Sequence, residues 1–223
     1  MGQNVSSAVM QQRSEPHSSL DDFPTPPWAV RALWHFLRSQ GFTAGGVARE
    51  PAANRGHLVR VLAEIFDHVD AADVHDYGAG FPVHDYLFGP DPDVVDWTIT
   101  NPPFKLAEQF IDRAVRTSRE GCAFLVRTAF LEGQGRFERL FSQSPPAFVL
   151  QFSERVVMHK GRLAPAGSTA TSYCWVVFLR DHRSGVTELH WVPPCRATLE
   201  CERDYPDDGL GLAEFDREVL IDG

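Results

Sequence analysis

Val94-Val95-Asp96-Trp97-Thr98-Ile99-Thr100-Asn101-Pro102-Pro103-Phe104-Lys105 is the stretch on which the fold turns. Its first seven residues are mostly apolar or β-branched and read as a buried strand. Pro102 and Pro103 then stop it. Each fixes φ and removes an N–H donor, so the ladder ends and the carbonyls nearby are held stiffly. The Asn101 amide and the rigid Pro102 carbonyl are expected to face one space, with the Phe104 ring two residues on. Such a set suits a planar group bearing an exocyclic NH2: two acceptors for its hydrogens and a ring for its face.

Upstream, Val30, Leu33, Trp34 and Leu37 recur at helical spacing within Trp28–Gln40. Residues 45–50 read as a short strand ending in a turn, Leu58–Phe66 as a helix and Val69–Val74 as a second strand. After the prolines come a helix over Leu106–Arg116, a strong strand at Cys122–Thr128, a short helix at Phe137–Gln143 and a strand at Ala147–Phe152. Tyr173–Arg180 and Thr187–Val192 read as an antiparallel closing pair, split by a turn at His182–Gly185. This alternation predicts an α/β fold: a mostly parallel, seven-stranded sheet with a terminal antiparallel hairpin and helices on both faces. Residues 1–20 are expected to be a disordered leader and residues 21–198 the folded domain. Residues 199–223 are expected to be an acidic tail.

The chain has 223 residues, which suits one domain. Its net charge of −9 argues against a generic nucleic-acid binder. The average hides an asymmetry, because residues 101–180 hold eleven Lys or Arg against six Asp or Glu, a net of +5. The lysines are Lys105 and Lys160; every other basic residue is arginine, suited to planar contacts with phosphates and bases. Lys105, Arg127, Arg136, Arg155, Lys160 and Arg162 are the expected contacts of this half with a polyanion. No run approaches the roughly 18–20 apolar residues of a membrane span. Cys122, Cys174, Cys195 and Cys201 form no CxxC pair, and the histidines lack zinc-ligand spacing, so a cytoplasmic protein without a metal site is expected.

In open α/β sheets ligands lie at the carboxyl ends of the strands, near the point where strand order reverses. Three pieces are expected to converge there: Glu50-Pro51-Ala52-Ala53-Asn54-Arg55-Gly56-His57, the acid Asp73 closing the second strand, and His84-Asp85-Tyr86-Leu87 before the third. Together with Phe23-Pro24-Thr25-Pro26-Pro27 and Asn101-Pro102-Pro103-Phe104, they stand in the order found in amino-group methyltransferases that use S-adenosylmethionine. The chain resembles above all the DNA adenine-N6 enzymes. Arg127–Gly133, Phe152–Arg162 and Ser168–Thr171 further resemble phage and prophage members, so the likeness spans roughly residues 22–180.

The resemblance implies a Rossmann-like methyltransferase fold with S-adenosyl-L-methionine as cofactor. Thr25 and Pro26 would close over its methionine end, and Glu50, Pro51, Ala52, Asn54 and Gly56 would form its loop. Asp73 would accept both ribose hydroxyls, Val74 would pack on the adenine, and Asp85 with Tyr86 would meet the adenine amino group. Asn54 replaces the family's first loop glycine; asparagine enters the left-handed region more readily than other side chains.

The resemblance also implies catalysis by Asn101, Pro102, Pro103 and Phe104, with the first also touching cofactor. The substrate would be adenine N6 in single- or double-stranded DNA, flipped out of a duplex where one is present. Two alternatives stay open: the same chemistry on RNA bases or a protein glutamine amide, and a non-catalytic nucleic-acid-binding relative. Oligomeric state is not read from the sequence.

Overall fold

The computed structural model describes residues 20–182 and 185–205. Apart from Leu20, the expected leader lies outside the described residues, as do residues 206–223 of the expected tail and the centre of the turn at His182–Gly185.

Helix α1 (Pro27–Ser39) starts with a proline at its first helical position, behind Pro26 in an extended conformation (φ −61°, ψ 128°). The fixed φ is already helical and the missing N–H has no partner to lose there. Its apolar stripe, including Trp28, Leu33, Trp34 and Leu37, is buried. The indole N–H of Trp175 donates to the Ala29 carbonyl at 2.9 Å, and Trp28 meets Phe152 edge-on at 5.5 Å.

The strands are β1 (Val47–Glu50), β2 (His68–Ala71), β3 (Val95–Thr100), β4 (Ser118–Arg127), β5 (Phe148–Phe152), β6 (Tyr173–Leu179) and β7 (Glu188–Val192). They form one sheet in the order β2-β1-β3-β4-β6-β5-β7. The first four run parallel, β6 is antiparallel to both β4 and β5, and β7 is parallel to β5. Alternate residues of β4 enter two cores: Ala123 and Leu125 face the α1 side, while Cys122, Phe124 and Val126 face the other. Helix α2 (His57–Leu62) joins α1 on the first face, and α3 (Ala107–Thr117) covers the second. Gly121 sits where a Cβ would come within 2.6 Å of the Phe178 carbonyl oxygen, so only glycine lets β4 and β6 approach.

The expected seven-stranded, mostly parallel sheet is present, but its antiparallel pairing differs from expectation. β6 and β7 are not hydrogen-bonded neighbours; β5 lies between them. The reason is in their side chains. Tyr173–Phe178 is buried on both faces, as suits an interior strand, whereas Leu189 and Trp191 are exposed, as suits an edge. The second strand stops at Ala71 rather than Val74, because Asp73 pairs instead with Val83 in an isolated bridge. The helix expected over Leu58–Phe66 ends at Leu62, and turn bonds from Glu64, Ile65 and Phe66 reverse the chain toward β2. The helix expected at Phe137–Gln143 is π-helical over Phe137–Phe141, behind one α-turn at Gln134–Arg136.

Trp175→Ala removes a fully buried ring and its bond to α1. It should lower unfolding free energy by about 3–5 kcal/mol, read as a reduced denaturant midpoint with an unchanged slope.

Candidate active site

The strand order β2-β1-β3 means that the chain leaves β1 in one direction and returns on its other side. A crevice opens at that reversal, beyond the carboxyl ends of β1 and β3. It encloses about 860 Å³ of space continuous with solvent.

Glu50 and Thr100 are the final residues of β1 and β3, and both are buried. The Thr100 hydroxyl donates to Glu50 Oε1 at 2.5 Å, and the Ala52 N–H donates to the same oxygen at 2.9 Å. Glu50 Oε2 is buried without a hydrogen-bond partner among the described residues. Burial pushes the Glu50 pKa up to about 8, against the two hydrogen bonds, which favour the charged form.

The loop after β1 turns on Asn54, which has φ +51° and is the one non-glycine residue in the left-handed region among the described residues. Its N–H donates to Asp73 Oδ2 and its side-chain amide to Asp22 Oδ1, both at 2.8 Å. Asp22 also forms an ion pair with Arg55 at 2.8 Å. Gly56 follows at φ 78° and starts α2. Asp73 accepts the N–H groups of Asn54 and His75, while burial raises its pKa.

Residues 20–26 cross the top of this loop and of the Asn-Pro-Pro turn. Asp21 Oδ2 accepts the Phe104 N–H at 2.8 Å, and the Phe23 carbonyl accepts the Asn101 amide at 2.9 Å. A carbonyl can only accept, so this bond turns the NH2 of Asn101 toward Phe23 and leaves its oxygen on the other side. That oxygen, Oδ1, is buried and has no partner among the described residues.

Of the residues expected at a cofactor, Thr25, Glu50, Pro51, Ala52, Asn54, Asp73, Val74, Asp85, Tyr86 and Asn101 line the crevice, as does Pro103. Pro26 and Gly56 do not; they shape the starts of α1 and α2. Pro102 and Phe104 flank it. The Phe104 ring lies 5.7 Å from Phe23, and the Arg127 guanidinium sits 4.1 Å from its centroid. Asp85 accepts the Leu87 N–H in a tight turn.

The expected basic contacts are not alike. Lys105 is exposed. Arg136 is folded back onto the Phe130 and Glu132 carbonyls and over the Phe130 ring. Arg155 bonds Ser172.

Sequence reasoning did not single out Asp21 or Asp22, and it gave no role to His57 within the Glu50–His57 piece. The two aspartates precede the Phe23–Pro27 segment, and their partners lie 83 residues away for Asp21 and 32 for Asp22. His57 lines the crevice although it is 6 % exposed. Its Nδ1 lies 2.8 Å from an Arg60 guanidinium nitrogen. Burial, then Arg60, pushes its pKa down to about 4.

No family model matches the sequence, and no curated protein sequence is similar to it. Solved structures do match. One assigned as a class I S-adenosylmethionine-dependent methyltransferase from Listeria monocytogenes is 13% identical with a TM-score of 0.59, covering 79% of this chain and 68% of its own. One assigned as an RNA methyltransferase from Pyrococcus horikoshii is 19% identical with a TM-score of 0.55, covering 74% of this chain and 90% of its own. A modification subunit assigned to a type I restriction enzyme of Vibrio vulnificus is 16% identical with a TM-score of 0.53; 84% of this chain covers 51% of that one, about half its length. At these identities the likeness is one of fold: the chain has the Rossmann-like architecture of these methyltransferases.

Two measurements probe this geometry. The folded state holds the Glu50 proton up to about pH 8, whereas the unfolded chain releases it near its ordinary value of 4.5. Its contribution to stability is therefore fully present below pH 4.5 and lost as pH rises through 8. His57 acts with the opposite sign, but only between about 4 and 6.5. The melting temperature of the ligand-free protein should fall from pH 6.5 to 8, and Glu50→Gln should flatten that fall. At the loop, Asn54→Ala should destabilise by about 1–2 kcal/mol from backbone strain alone, and Asn54→Gly by less, in chemical denaturation.

Proposed function

We propose that the chain transfers a methyl group from S-adenosylmethionine to the exocyclic N6 of adenine in DNA. One observation carries the reading: the Asn101 oxygen is buried and held in orientation, in a crevice lined, among the described residues, by Asp21, Glu50, Asp73 and Asp85 and by no lysine or arginine, and it has no partner among those residues. The acidic lining fits a cationic ligand. S-adenosylmethionine, when bound, supplies a methyl group on a sulfonium, already a good leaving group.

The protein's part is positional and electrostatic. The lone pair of an adenine amine is delocalised into its ring, which makes it a weak nucleophile. Asn101 Oδ1 and the Pro102 carbonyl accept its two hydrogens, favour a more tetrahedral nitrogen and stabilise the positive charge that grows there. Phe104 offers a ring for the base, and the guanidinium of Arg127 now occupies one side of it. Asp73 and Asp85 serve the ribose and adenine of the cofactor, and Pro103 stiffens the turn. Lys105, Arg127, Arg155, Lys160 and Arg162 meet the DNA backbone.

The likeness to a restriction-modification subunit supports DNA. RNA is the second reading, because the match assigned as an RNA methyltransferase is covered over 90% of its length.

Incubation with labelled S-adenosylmethionine and unmethylated DNA, followed by nucleoside separation, should give label in N6-methyladenine. Asn101→Ala should reduce it about 10²–10³-fold. Label in RNA and none in DNA would move the substrate to the second reading; absence of label from both would sink the proposal.

A further inference from the structure

We infer that His57 is a ligand-binding residue: a neutral imidazole, locked by Arg60 with its proton on Nε2, that donates to the carboxylate of the cofactor's amino-acid end. The inference rests on the cofactor reading above and adds a residue to it.

Geometry fixes the tautomer. A guanidinium has donors and no acceptor, so the 2.8 Å contact from Arg60 makes Nδ1 the accepting nitrogen. A neutral ring must then carry its hydrogen on Nε2. The ring stays neutral because it is buried beside Arg60 and Arg55, whose charges outweigh those of Asp22 and Asp204. His57 lines the crevice, and the Arg60 contact engages Nδ1, not Nε2.

Apart from its asparagine amides, the crevice offers few side-chain donors: the Thr25, Tyr77 and Tyr86 hydroxyls and His57. An amino-acid end presents an ammonium and a carboxylate. Carboxyl groups suited to the ammonium are plentiful, and Glu50 Oε2 is buried without a partner among the described residues. Among the described lining residues the carboxylate meets four acids and no lysine or arginine. One side-chain amide hydrogen of Asn54 is given to Asp22, and those of Asn101 to the Phe23 carbonyl and the Met158 sulfur. His57 is rigid and oriented, and it adds no charge to repel the sulfonium.

The test is calorimetry with two ligands, S-adenosylhomocysteine and 5′-methylthioadenosine, the second lacking the amino-acid end. His57→Phe should weaken the first about tenfold to a hundredfold and leave the second within about twofold, which also shows that the variant folds. His57→Gln, whose amide N–H reaches the same place, should recover most of the loss. Nitrogen-15 spectra of the wild type at pH 7 should put the ring proton on Nε2. Equal weakening of both ligands, no weakening of either, or a proton on Nδ1 would overturn the assignment. Wild-type protein that binds neither ligand would instead bring down the cofactor reading, and this inference with it.

Discussion

The hydrogen bond from Thr100 to Glu50 is the contact on which the crevice depends. It joins the last residues of two neighbouring parallel strands at the point where their chains diverge. One chain enters the loop through Asn54 and the other enters the Asn-Pro-Pro turn, so sheet register sets the distance between the two pieces. The bond sits in a site with almost no solvent, where a carboxyl is more easily kept neutral than charged. A ligand with positive charge reverses that preference, so occupancy of the crevice and ionisation of Glu50 are linked.

The segment over Asp21–Pro26 is the second constraint. It touches the loop through Asp22 and the proline turn through Asp21 and Phe23, bridging the same two pieces from above. It also reaches the connection between β5 and β6, where the Asp22 carbonyl accepts the Gly161 N–H at 2.8 Å. Hydrogen bonds therefore tie together three regions distant in sequence. The orientation of the Asn101 amide, on which the proposed chemistry turns, is a product of this strap rather than of the motif that contains it.

Much of this was legible in the sequence. The apolar run ending at Thr100, two prolines and helical spacing before and after it identify a strand and its neighbours, because burial and proline geometry are local. Asn54 was legible for the same reason: its left-handed backbone follows from the residue type and its place in the loop. The order of strands was not. Whether Tyr173–Leu179 pairs with β4 and β5 or with β7 depends on which faces are covered, and that is settled by distant helices. Asp21, Asp22 and His57 were hidden because their partners are remote or, for His57, because a donor's direction depends on an arginine one turn away. The basic half illustrates the limit of composition: Arg136 counts as a cation yet spends its guanidinium on the backbone of its own loop.

The position of β6 bears on the order in which the chain can become a protein. Among the described residues β5 has hydrogen-bonded neighbours in β6 and β7 alone, and both are made after it. As synthesis proceeds, the four parallel strands through Arg127 have each other, but Phe148–Phe152 has no edge to join until Tyr173–Leu179 has emerged and paired with β4. A nascent chain thus carries an apolar strand with nowhere to go for some twenty residues of translation. Any fragment cut within that interval keeps the residues of the crevice loop but loses the strand that anchors α1 through Trp175. The strand that completes the sheet beside β4 thus lies beyond the last residue expected at the site.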